Sequence, residues 1–96
     1  MPQFLVLADD YKDANALSRR LNVRETHLAR MRVEKSAGRF IVGGAKLDDE
    51  KRMVGSMIVV DLLNIAEVET WLNEDVYVTE KVWEKIEIIP FKIAEV

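Results

Sequence analysis

Short apolar runs that stop at turn formers alternate along this chain with stretches whose apolar positions recur at helical spacing. Gln3 to Ala8 is a compact apolar run ended by Asp9 and Asp10, the length and punctuation of a buried strand. From about Ala14 to Ala37 the spacing turns helical, with Leu17 and Leu21 four apart and Leu28 and Met31 three apart. Asn22 followed by Glu25 has the form of a capping pair, a side-chain oxygen for orphan amides and an acid near the positive helix end, so a kink or new start is predicted there. Gly38 suits the residue just past the helix, where a left-handed backbone excludes a Cβ. "RFIVGG" (39–44) predicts a second strand halted by Gly43 and Gly44, "AKLDDEKR" (45–52) an exposed loop, and "MVGSMIVVDL" (53–62) a third strand. Ile65, Val68, Trp71 and Leu72 predict a helix over 64–75, and the isoleucine-rich run 82–93 a last strand. Pro90 in that run has no amide to donate, which assigns it to an edge or a bulge.

The order β-α-β-β-α-β predicts a ferredoxin-like α+β fold, a four-stranded antiparallel sheet with both helices on one face. With no linker, repeat or low-complexity segment, residues 1–96 read as one domain. On the first strand Phe4, Val6 and Ala8 point one way and Leu5 and Leu7 the other, while on the third Ile58 and Val60 oppose Met57 and Val59. Both faces are therefore apolar, and two helices cover only one of them. A second copy of the chain, meeting sheet to sheet as a homodimer, is expected to cover the other.

Composition narrows the classes. The chain has 96 residues, 49% hydrophobic and 32% charged, a globular balance near the size where burial only just outweighs chain entropy. Its net charge of −3 offers no overall positive field for phosphate backbones or anionic lipid, so neither nucleic acid nor membrane is expected as a partner. Cysteine is absent, which removes disulfides, thiolate catalysis and cysteine metal sites. The opening "MPQFLVLADD" lacks the basic flank and cleavage site of an export signal, and no apolar run approaches the ~20 residues of a membrane span. A cytoplasmic protein is the expectation.

His27 is the one histidine, and imidazole is the side chain suited to move protons in both directions near neutrality. It shares a partly apolar stripe with Val23 and Met31, and Arg24 and Arg30 lie close on the cylinder. On these residues alone it reads as a half-buried ring with satisfied nitrogens; a catalytic role requires an orienting acid. Asp9, Asp10, Asp61 and Asp75 are the candidates, Asp75 foremost because it lies in a connection between elements, where reactive groups gather. Ser56 follows Gly55, where a missing Cβ admits a ligand or merely a bulge. No GxSxG surrounds it, which disfavours an acyl-transfer nucleophile, and no His or carboxylate spacing suits a metal. Arg19, Arg20, Arg24, Arg30, Arg32 and Lys35 make the first helix basic; one or two of them could grip an anionic substrate.

"LSRRLNVRETHLARM", "GRFIVGGA", "GSMIVV", "WLNEDVY" and "IIPFK", in that order, closely resemble the YciI-like (YCII-related) family over nearly the whole chain. The resemblance implies the ferredoxin-like fold and a dimer whose sheets build a dimeric α+β barrel. It also implies a site pairing His27 with Asp75, the histidine of an R-x-x-H-L motif with the aspartate of a D-P-Y segment. Two positions depart from the pattern: Val76 stands where proline is usual, and Ala45 where Gly-Pro is common. Loss of the proline predicts a less rigid loop at Asp75. The few members linked to chemistry look like enzymes of small ring compounds that work by proton abstraction and elimination, without a cofactor.

The reading that follows is a cofactor-independent lyase or isomerase acting on a small anionic substrate. His27 is its base, Asp75 orients the ring, and Arg24, Ser56 and Tyr77 hold the substrate. The rivals are a ligand-binding or regulatory dimer with a structural His27, and an RNA-binding sheet, which the lone phenylalanine of the two middle strands disfavours.

Overall fold

Strand β1 (Gln3–Asp10) alternates half-buried and buried residues along its whole length, so Phe4, Val6, Ala8 and Asp10 share the covered face. A computed structural model describes all 96 residues. After β1 come α1 (Ala16–Ser36), β2 (Phe40–Leu47), β3 (Met53–Asp61), α2 (Ile65–Asn73), the one-turn α3 (Val76–Thr79) and β4 (Trp83–Phe91). The strands form one antiparallel sheet in the order β2-β3-β1-β4, the ferredoxin-like arrangement. Register places Phe4, Val6 and Ala8 opposite Val60, Ile58 and Ser56, so these six share one face. On it they meet Met31 of α1, Val68, Trp71 and Leu72 of α2, and Tyr77 of α3 in a single hydrophobic core. Leu5, Leu7, Met57 and Val59 fall on the face away from the helices, as the alternation predicts. Pro90 lies on β4, an edge strand, in register with Phe4.

A bulge between β1 and β4 decides which side chains enter the core. Asp9 pairs with Lys85 but Asp10 with Trp83, so Glu84 is skipped and stays exposed while Trp83 turns inward and is buried.

Three expectations change. The break at Asn22 is absent: α1 runs unbroken through 21 residues, and Asn22 and Glu25 both face solvent. Its buried residues explain this, because Arg20, His27 and Glu34 succeed one another every seven positions and a kink would throw them out of line. Strand β2 does not stop at Gly43 and Gly44 but continues to Leu47, pairing Gly43 with Ile58 and Gly44 with Met57. A Cβ at Gly43 would lie 2.9 Å from the Met57 carbonyl oxygen and 3.0 Å from the Phe40 ring, so this glycine permits close packing and does not end the strand. The third difference is α3, which occupies a segment read as loop. Gly38 does take the left-handed conformation, with φ of 81°.

Asn22→Ala tests the continuity of α1 by the sign of its effect. An exposed mid-helix asparagine gives way to the best helix former, so stability should rise by about 0.5 kcal/mol in urea unfolding. Were Asn22 a cap, the same change would lower stability by about 1 kcal/mol.

Candidate active site

The inner face of α1 carries Arg20, His27 and Glu34, all at least nine-tenths buried. Polar groups removed from water need partners, and each of the three has them. Arg20 Nη1 donates to both carboxylate oxygens of Asp10 at 2.9 and 2.8 Å, and Nη2 donates to Ser56 Oγ at 2.9 Å. Glu34 accepts from Arg39 at 2.9 and 2.7 Å and from the Trp71 indole at 2.5 Å, tying the end of α1 to α2 and to the entry of β2. His27 Nδ1 lies 2.9 and 3.1 Å from the two oxygens of Asp75.

Asp75 is fully buried, and its local structure explains how it is held there. It is the N-cap of α3, its Oδ1 accepting from the Tyr77 amide at 2.9 Å, while Oδ2 accepts from Arg30 Nη1 at 2.9 Å. Arg30 is itself anchored by Nη2 to the Trp71 carbonyl at 2.8 Å. Burial is the largest influence on the Asp75 carboxyl and pushes its pKa up. The hydrogen bond and charge of His27, then the Tyr77 amide and Arg30, together outweigh it, so the carboxyl stays below its ordinary value and ionised. An ionised carboxylate only accepts, so His27 Nδ1 carries the hydrogen and donates it. In the neutral ring that tautomer leaves the lone pair on Nε2, which no protein group engages.

Aromatic packing fixes the plane of the imidazole. Tyr77 stacks on it with centroids 3.9 Å apart and planes 9° from parallel, and Trp83 closes on it edge-on at 5.8 Å. Burial raises the Tyr77 phenol pKa and keeps it protonated. Burial likewise pushes the Asp10 carboxyl up, more than Arg20 pulls it down.

The imidazole borders a cleft of about 80 Å³ between α1 and β2. Arg20, Arg24, Ser56 and Tyr77 join His27 as its polar lining, with Met31, Phe40 and Ile58 as apolar wall. The five residues singled out from the sequence therefore converge: His27 touches Asp75, and Arg24, Ser56 and Tyr77 border the same space. Asp75 stands behind the ring and is absent from the lining. Of the other acids considered, Asp10 serves Arg20, and Asp9 pairs with Lys46 on the open side of the sheet. Arg20 and Arg30 were legible only as members of a basic helix, although the seven-residue spacing of Arg20, His27 and Glu34 was a usable signal. Trp83 reaches Ser56 only through the bulge, which nothing local announces.

The two departures at Val76 and Ala45 are accommodated. Val76 is the first residue of α3, the helix position proline favours, and here the cap and the helical turn hold Asp75 without it. Ala45 lies on β2 and borders the cleft.

With this geometry stands a sequence match: the YCII-related domain aligns with residues 3–92. The chain belongs to the YCII-related family. An uncharacterized protein of Haemophilus influenzae is 30% identical over 93% of this chain and 95% of its own. Protein YciI of Escherichia coli is 27% identical over the same shares. Among solved structures, the 5-chloro-2-hydroxyhydroquinone dehydrochlorinase of Burkholderia phenoliruptrix, in complex with 2,5-dihydroxybenzoquinone, is similar with a TM-score of 0.81 at 23% identity, covering 96% of this chain and 95% of that one. Protein Atu4242 of Agrobacterium tumefaciens gives 0.52 at 14% identity, over 96% and 93%. No helix of this YCII-related chain is long and apolar enough to cross a membrane.

Ionised Asp75 links the pair to stability. Its pKa is lower folded than unfolded, so its contribution is complete above the ordinary carboxyl value of 3.8 and is lost as pH falls from there toward the folded value. Urea unfolding across a pH series should show Asp75→Asn less stable than the parent near neutrality, with the gap narrowing below about pH 4. A gap that does not change with pH would contradict the ionised assignment.

Proposed function

We propose that this protein is a cofactor-independent small-molecule enzyme of lyase or isomerase type, with His27 as the base and Asp75 as the group that orients it. The carrying observation is the Nδ1 to Asp75 contact of 2.9 Å, which directs the free lone pair of Nε2 away from the acid on a ring that borders the cleft. In the proposed step Nε2 takes a proton from a carbon of the substrate. The electron pair of the broken C–H bond becomes a double bond as a leaving group departs with its own pair, or shifts and is reprotonated elsewhere. Asp75 stabilises the imidazolium formed, and the stacked Tyr77 holds the ring in plane. Arg24, exposed at the cleft, favours an anionic substrate, while the buried Arg20 is already paired with Asp10. The relative that is named a dehydrochlorinase and holds a dihydroxybenzoquinone supports a ring compound and an elimination as the first chemistry to assay. Residues 1–96 act as a single domain in this reading, in the cytoplasm.

The functional unit proposed is a homodimer closed over the open face of the sheet. Leu5, Leu7 and Met57 form a half-exposed apolar surface there over the buried Val59, joined by exposed Val42 and by Ile89 from the edge strands. A copy of the same surface is self-complementary about a two-fold axis and would bury both. Leu7→Lys should shift sedimentation from dimer to monomer; a parent that already sediments as a monomer rules the dimer out.

In an assay against hydroxylated and chlorinated ring acids and quinols, His27→Asn should lower kcat by about 10²- to 10⁴-fold with its circular dichroism unchanged. Asp75→Ala should lower it less, since the ring keeps its nitrogen but loses its orientation. Full turnover in both folded variants would exclude the mechanism and leave His27 structural.

A further inference from the structure

Ser56 sits in the third strand with its side chain on the helix side, 3% exposed and bordering the cleft. A serine hydroxyl has one hydrogen to donate and two lone pairs to receive. Here both lone pairs are taken: Arg20 Nη2 donates to Oγ at 2.9 Å and Trp83 Nε1 donates at 3.1 Å. Neither donor can be replaced by an acceptor, because a guanidinium and an indole N–H only donate. The hydroxyl hydrogen has no acceptor in the protein, so it remains to be given to whatever occupies the cleft.

We infer that Ser56 is a one-way donor presented to an ionised oxygen of the ligand, so that the cleft selects a phenolate or enolate over the neutral hydroxyl or ketone. A neutral hydroxyl or a ketone can accept the Ser56 hydrogen too, but only in a neutral bond, and a hydroxyl cannot donate back because Ser56 has no lone pair left. An oxyanion accepts it in a charge-assisted bond about twice as strong. The guanidinium on Oγ polarises the O–H bond and strengthens it as a donor, and Arg24 adds positive charge at the cleft. Asp10 holds the Arg20 guanidinium by both carboxylate oxygens, and the β4 bulge turns Trp83 inward, so these three act through Ser56 as positioning residues.

This assignment rests on the cleft being the substrate site and deepens its chemistry. When the base removes a proton from carbon beside a carbonyl, the C–H electron pair forms the new C=C bond and the carbonyl π pair moves onto oxygen. The proton stays on the base and no atom is lost. A fixed donor aimed at that oxygen gains strength as charge develops, which accelerates the step and does more than hold the substrate.

Binding of para-nitrophenol, whose absorption separates phenol from phenolate, tests the donor directly. The parent protein should bind the phenolate in preference to the phenol, lowering the apparent pKa of the bound probe. Ser56→Ala should weaken phenolate binding about tenfold or more while weakening phenol binding less. Trp83→Phe, which returns a lone pair to Ser56, should narrow the preference without removing the donor. Absence of a phenolate preference in the parent, including absence of binding, or an unchanged preference in Ser56→Ala, overturns the assignment. The two readings fail separately. Lost turnover in His27→Asn with unaltered phenolate binding in Ser56→Ala overturns the donor alone; retained turnover in His27→Asn with phenolate preference lost in Ser56→Ala overturns the base alone.

Discussion

A charge taken out of water must find a partner inside the protein, and the inner face of α1 meets that demand three times over. Most amphipathic helices turn an apolar stripe to the core; α1 turns Arg20, His27 and Glu34, with Ala16 before them and Met31 between the last two. Each is useful only if a carboxylate, guanidinium, hydroxyl or indole waits at the right height. Asp10 at the end of β1, Asp75 at the cap of α3, and Arg39 with Trp71 at the far end supply those partners. The rest of the fold can be described by how it delivers them. The antiparallel register brings Ser56 beside Ala8, two residues from Asp10, and the bulge turns Trp83 to the same side.

Asp75 shows how much a single carboxylate is asked to coordinate. It receives the His27 ring, the Tyr77 amide and Arg30, three hydrogen-bond donors from three directions, and stays ionised because together they outweigh its burial. Losing any one leaves the others to hold the charge less well. Arg30 also reaches the Trp71 carbonyl, so the group that keeps the acid ionised is fastened to α2. The cap geometry meanwhile places Tyr77 two residues on, where its ring lies flat against the imidazole. Acid, cap and stacking partner therefore come from one short stretch, Asp75-Val76-Tyr77.

The strands were legible because alternation is a local signal: Phe4, Val6 and Ala8 against Leu5 and Leu7 state both the element and its two faces. The order of elements followed, and so did the placement of Pro90 at an edge. What misled was local chemistry overruled by distant packing. Asn22 and Glu25 form a credible cap pair in isolation, but the buried contacts of Arg20 and His27, which flank them seven residues apart, keep the helix continuous through them. Gly43 and Gly44 resemble stops, yet the Met57 carbonyl and the Phe40 ring lie where a Cβ at Gly43 would go. His27 and Asp75 were paired by resemblance, 48 residues apart in sequence, and no spacing rule would have joined them. Ser56 was visible as a hydroxyl beside a glycine; that both its lone pairs are filled depends on a bulge 27 residues away, which composition and periodicity do not encode.

Stability alone does not account for the α1 stripe. Buried ion pairs commonly break even against apolar replacements of equal size, because desolvation cancels their attraction. Three such groups in a 96-residue chain with only 22 buried residues are a substantial concession of core. Glu34 provides an internal comparison: it satisfies the same demand for partners, pins α1 to α2 and to β2, and borders no part of the cleft. Its network is complete in itself, every oxygen answered by a neighbour. Arg20 and His27 differ in leaving something over, an unpartnered Nε on the first and an unengaged Nε2 on the second, with Ser56 between Arg20 and the cleft holding a hydrogen it cannot give to the protein. Where a buried polar network closes on itself, architecture is a sufficient reason for it. Where it ends in a spare donor and a spare lone pair beside the same small space, the proposed partner is a molecule that supplies an oxygen to one and a proton to the other.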